Sequence, residues 1–163
     1  MKRIKTSSIY LIISVILMII IFIFSAQNSE QSSASSNGFI SIIISLFDSS
    51  FNELDIVKQQ EIIQLYSFSV RKLAHFSIYL LLGFNLNGFS YYFDKFKRSV
   101  KRVFPILLGL LYAITDEVHQ HFVPGRAMQI ADVLIDFSGI LAGTLLFFII
   151  NKFYYKKREN FES

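Results

Sequence analysis

The sequence has no cysteine and no tryptophan, and only 2 prolines and 7 glycines among 163 residues. Without cysteine there can be no disulfide framework, no thiol nucleophile, no iron–sulfur cluster and no Cys-ligated zinc. So few glycines and prolines exclude a collagen-like or linker-rich chain. Charge is also sparse, at 17%. What fills the space is apolar: 53% of residues are hydrophobic, with Phe present 18 times. That content excludes a disordered chain, and the length fits a single domain over 1–163.

The apolar residues come in runs. Ile9–Phe24 is interrupted only by Ser14 and follows Lys2, Arg3 and Lys5. With its serine flanks it approaches the ~20 residues that cross ~30 Å of hydrocarbon. A basic start before an apolar run also describes a signal peptide, but Phe24 stands where cleavage wants a small residue, which favours an uncleaved anchor. Three further spans are expected, so that the set is about 7–25, 73–93, 103–123 and 130–150. The third reaches spanning length only if its helix runs through Asp116, Glu117, His119, Gln120 and His121. Pro105 is expected in its first turn, where a missing N–H costs little. Pro124-Gly125 marks a turn before the fourth.

Basic residues set an orientation. Three lie at the N-terminus, five in the loop 94–102 and four in the tail 151–163, which is twelve of the 16 Lys and Arg. The positive-inside rule then places both termini, that loop and the tail in the cytoplasm. The net charge of +4 is thus a topology signal, and nucleic acid is not needed as a partner. Tyr91, Tyr92 and Phe93 are read as an aromatic belt at the inner interface. The external loop, 26–70, opens with a serine-rich tract to Asn37 that reads as flexible. Phe39–Phe47 suits a short interfacial helix. Ser50 and Glu53 have the spacing of a capping box, which would start an amphipathic helix carrying Ile56, Ile63, Tyr66 and Val70 on one face. The expected fold is therefore all-α: a polytopic membrane bundle of about four transmembrane helices, plus an interfacial and an amphipathic helix outside.

On this topology nearly every polar side chain falls at the outer end of a span: Ser25 and Gln27, Arg71, Lys72 and His75, Asp116, Glu117 and Gln120, Arg126, Asp132 and Asp136. The inner halves are almost purely apolar. Arg71, His75 and Tyr79 are four apart and share a helix face, as do Asp116 with Gln120 and Glu117 with His121. Asp132, Asp136, Gly139 and Gly143 form one stripe, and the small pair would let another helix approach below the acids. Ionisable groups at membrane depth cost about 2.5–3.5 kcal/mol each on insertion scales and mark a functional site by default. Four carboxylates face two arginines, with Lys72 read first as an interfacial anchor and left open as a third cation, so ion pairing alone does not account for the set. An unpaired buried carboxylate protonates or binds a cation. A metal would use His75 and the acids, yet no HExxH-type spacing occurs, and no metal ligand or cofactor is assigned.

Arg71-Lys72-x-Ala74-His75-Phe76-x-x-Tyr79-x-x-Leu82-Gly83, then Asp116-Glu117-x-x-Gln120-x-Phe122-Val123-Pro124-Gly125-Arg126, then Asp132-Val133-x-x-Asp136-x-x-Gly139-x-x-x-Gly143 resembles the VanZ-like family. The Phe24-Ser25-x-Gln27 end of the first run is similar as well. One departure is Ala127-Met128, where relatives often carry Ser-Gly; it bears on the local turn. The resemblance implies a small bacterial membrane protein, and its named relative confers low-level resistance to teicoplanin, a lipoglycopeptide. It also implies that Arg71, His75, Asp116, Glu117, Gln120, Arg126, Asp132 and Asp136 form the functional set.

Three functions are open to such a site. The first is binding or modification of a lipid-linked or cell-envelope molecule at the outer leaflet, with Asp116, Glu117 and His75 as acid–base candidates. Arg71, Gln120, Arg126, Asp132, Asp136 and Gln27 would then bind the ligand, which could be an envelope precursor or a lipoglycopeptide. The second is a proton- or cation-coupled transporter, which the apolar inner halves disfavour. The third is a structural or accessory protein whose polar network is satisfied and has no turnover.

Overall fold

The computed structural model describes residues 2–162, with side chains described over 4–154. The side chains of Lys2, Arg3, Lys156, Lys157 and Arg158, which entered the charge bias, lie outside the described residues. Among the described residues there are five α-helices and no strands: α1 (Lys2–Ser25), α2 (Ser29–Phe47), α3 (Ile56–Tyr92), α4 (Arg98–His121) and α5 (Ile130–Glu162). Within α1 and α5, Ile4–Ser25 and Ile130–Tyr154 are long and apolar enough to cross a membrane by length and composition.

The segment after α1 is not flexible, as its serines imply, but helical from Ser29. Asn28 caps α2: its side chain accepts from the Gln31 N–H at 2.9 Å, and Gln31 Oε1 accepts from the Asn28 N–H at 3.2 Å. This reciprocal pair satisfies donors that a helix start leaves bare, and it outweighs the poor helix propensity of the serines. The Ser50–Glu53 capping box does not form. The Ser50 hydroxyl and N–H both donate to Asp48 Oδ1, the chain makes a 3-10 turn over Ser49–Glu53, and α3 starts after Asp55. With no Gly or Pro between Ile56 and Leu82, nothing breaks α3. The amphipathic helix and the second apolar run are thus one rod of 37 residues, about 55 Å long.

Pro105 is likewise not in a first turn. α4 begins at Arg98, which leaves Pro105 inside the helix and the Lys101 carbonyl without its usual partner. Ser90 Oγ of α3 donates to that carbonyl at 3.0 Å and replaces the missing bond.

Helix α3 is central and touches all the others, packing most extensively on α5. Contacts fix the directions. Tyr10 stacks on Tyr92, Ser25 meets Asp116 and Ser90 meets Lys101, so α1 and α4 run opposite to α3. Gly139 lies by Phe76 and Gly143 by Leu80 and Phe84, so α5 runs parallel to α3. The core joins Ile21, Tyr79, Leu82, Leu86, Ala113 and Ile140. Away from the polar end, the few buried polar groups bond within and between helices: Ser14 to the Tyr10 carbonyl, and Asn87 to the Gly83 carbonyl and Thr144. Tyr91 and Tyr92 pack their rings against Phe147 and Tyr10 and so also serve helix contacts.

Candidate functional site

The Gly139 and Gly143 stripe determines where the acids go. A Cβ on Gly139 would lie 2.5 Å from the Phe76 carbonyl oxygen, and one on Gly83 would lie 2.5 Å from that of Ile140. Only glycine permits this approach, which draws α5 onto α3 as the spacing predicts. One turn earlier, Asp136 is thereby brought to His75, with Oδ1 3.4 Å from Nδ1. Asp136 is fully buried, and neither of its oxygens has a hydrogen-bond partner among the described residues.

Asp116 arrives from α4. Its Oδ2 accepts from Ser25 Oγ of α1 at 2.9 Å and from Gln120 Nε2 at 3.1 Å. Ligand atoms of His75, Asp116 and Asp136 all lie within 4.8 Å of one another. The Tyr79 hydroxyl is buried nearby with no hydrogen-bond partner among the described residues, and Asp116 is among its charged neighbours.

The turn after α4 supplies Arg126. Pro124 and Gly125 occupy its central positions, Gly125 has φ +76°, and the Arg126 N–H closes on the Val123 carbonyl at 3.1 Å. That is a type II turn, whose third residue favours glycine. Arg126 Nη1 then donates to Gln120 Oε1 at 2.8 Å. Burial and the nearby Arg71 guanidinium pull Arg126 below its ordinary pKa, against the pull of Asp116 and Glu117. Arg71 Nη2 reaches Ser33 Oγ at 3.3 Å, and its Nε is buried without a partner. Neither arginine has an ion pair among the described residues.

The other expected members sit around this centre. Lys72 pairs with Asp132 and lies over the Phe68 ring. Glu117 faces elsewhere: its Oε2 accepts from the Gln129 N–H at 3.1 Å and holds the entry to α5, while Oε1 is buried without a partner. His119 stacks on Phe22, and His121 is exposed.

Arg71, His75 and Arg126 are shared by two adjoining cavities. The first, about 190 Å³, is polar, with Lys72, Gln120, Asp132 and Asp136 also in its wall. The second, about 370 Å³, is a groove between α1, α2 and α3 lined by Ile21, Phe24, Gln27, Phe39 and Ile78. It continues at Phe39, Val70 and Ala74 into a third, of about 600 Å³, walled by Ile40, Ile43, Ile44 and Leu73. Polar lining therefore gives way to apolar lining along one path.

A family model described as VanZ/LLP1 matches residues 10–151. The chain belongs to the VanZ/LLP1 family. The match takes in all of α2, α3 and α4, most of α1 and α5, and every residue of the polar centre. Family membership and the two apolar helices fit a membrane protein. Comparison with curated proteins and with solved structures found no match.

Sequence reasoning found the residues but not all their partners. Ser25, which orients Asp116, and Ser33, beside Arg71, were not among the candidates for binding. Ser25 had a signal, as the polar residue that ends an apolar run. Ser33 had none within its serine tract.

Proposed function

We propose that this VanZ-like protein crosses the membrane four times, by α1, the later part of α3, α4 and α5, with both termini in the cytoplasm. Its polar chamber then opens outside and binds, or modifies by acid–base chemistry, a lipid-linked envelope molecule carrying an anionic, phosphate-type headgroup. The observation that carries this reading is the pair of guanidiniums, Arg71 and Arg126, at the junction of the polar cavity and the apolar groove. Two cations without ion pairs repel each other until an anion joins them, and arginine forks suit phosphate geometry. An amphiphile fits the path, with its headgroup at the arginines and its chain along the groove beside α2. In the acid–base version Asp116 donates a proton to the bound headgroup and His75 accepts one from it, and Glu117 positions the chain entering α5. Low-level teicoplanin resistance is the cellular effect expected of binding such a molecule. The transport reading is weaker, because Tyr79, Leu82, Ala113 and Ile140 form an apolar core below the chamber.

The test uses protein in nanodiscs and compares binding of a polyprenyl phosphate with the matching polyprenol. Saturable binding that prefers the phosphate, weakened about tenfold or more in Arg71→Ala/Arg126→Ala, is expected. Equal binding of both lipids, or an unaffected double variant, contradicts the reading.

A further inference from the structure

We infer that His75, Asp116 and Asp136 form a site for one divalent transition-metal ion of the Zn2+ class. Three side chains from three helices bring their ligand atoms within 4.8 Å of one another, although they lie 41 and 20 residues apart in sequence. One imidazole and two carboxylates make a nitrogen–oxygen donor set suited to Zn2+ and its neighbours.

The second observation is the state of Asp136. It is fully buried, and among the described residues both of its oxygens lack a hydrogen-bond partner, as does His75 Nδ1. His75 Nδ1 and Asp136 Oδ1 are within ion-pair reach but do not close to the about 2.7–2.9 Å of a charge-assisted hydrogen bond. The 3.4 Å separation found instead is close to the distance of about 3.3 Å between two ligands on a tetrahedral ion with bonds near 2.05 Å. No Lys or Arg pairs with Asp116 or Asp136 among the described residues; Lys72 is taken by Asp132. A divalent cation would balance the two carboxylates. Ser25 and Gln120 already hold Asp116 through Oδ2, as outer-shell groups hold metal ligands. Entry is available, because His75 and Asp136 line the polar cavity. The site shares its chamber with the proposed headgroup site but does not depend on it, and an ion held by His75 and Asp116 goes with the binding version of that reading, not with the acid–base version. The assay below contains no envelope lipid, so either reading can fail alone.

Full-length protein, purified in detergent through a tag without histidine and stripped with EDTA, is titrated with Zn2+ in competition with a chromophoric chelator. One ion per chain is expected. Folded Asp136→Asn and His75→Ala should each bind more than about 100-fold more weakly, and Ser25→Ala about tenfold more weakly through loss of positioning. The exposed His121→Ala should bind as wild type does. Co2+ titrated into the wild-type protein provides a readout that needs no variant: a visible absorption band from tetrahedral nitrogen–oxygen ligation. The absence of stoichiometric Zn2+ uptake and of the Co2+ band in wild type overturns the site. So does a folded Asp136→Asn that binds as tightly as wild type.

Discussion

Gly139 of α5 lies so close to the Phe76 carbonyl of α3 that a Cβ there would come within 2.5 Å of the oxygen. This backbone contact is what holds the chamber together. It fixes the rotation and depth of α5, and with them the place of Asp136 beside His75.

Gly143 continues the same seam against Leu80 and Phe84. Gly143→Leu should lower stability by about 1–3 kcal/mol or prevent folding, as overpacking against fixed backbone does. Gly38, with nothing within 4 Å of its Cβ position, is the control: Gly38→Ala should gain about 0.5–1 kcal/mol from helix propensity. Thermal unfolding in detergent measures both, and a Gly143 variant as stable as wild type would break the seam argument.

The Ser90 bond to the Lys101 carbonyl gives a paired prediction. Ser90→Ala should cost about 1 kcal/mol, because it leaves a part-buried acceptor bare. In a Pro105→Ala background the backbone N–H returns to Lys101, and the same Ser90 change should cost much less. Equal costs in the two backgrounds would show that the serine does not replace the proline's missing donor.

Legibility followed the range of the interaction. Patterns within one helix were visible: Arg71, His75 and Tyr79 on one face, Asp116 with Gln120, and the Gly139–Gly143 pair that admits α3. Contacts between helices were not, because they depend on rotation and register that spacing does not specify. So Lys72 could not be assigned to Asp132, Ser25 could not be assigned to Asp116, and Glu117 was grouped with its neighbour although a 100° step turns it to Gln129. Composition misled in one place: the serines after Ser25 read as a flexible tract, while the Asn28–Gln31 cap starts a helix among them. The two apolar helices were legible as long runs. The polar residues at the chamber ends of α3 and α4 dilute the apolar runs there.

Expression in a susceptible Gram-positive host tests the cellular side. Wild type should raise the inhibitory concentration of teicoplanin more than that of vancomycin, because teicoplanin carries an acyl chain. Asp116→Asn, expressed to the same level, should lose the rise. A rise that persists in Asp116→Asn would detach the effect from the polar centre.

The central claim, that the chamber opens to the outside, is tested most directly by single-cysteine labelling, for which a cysteine-free chain is already suited. Ala127→Cys in the chamber wall and Lys95→Cys in the opposite loop are exposed to a membrane-impermeant maleimide in intact cells. The account predicts that Ala127→Cys is labelled at once and Lys95→Cys only after permeabilisation. Labelling of Lys95→Cys alone in intact cells would contradict it.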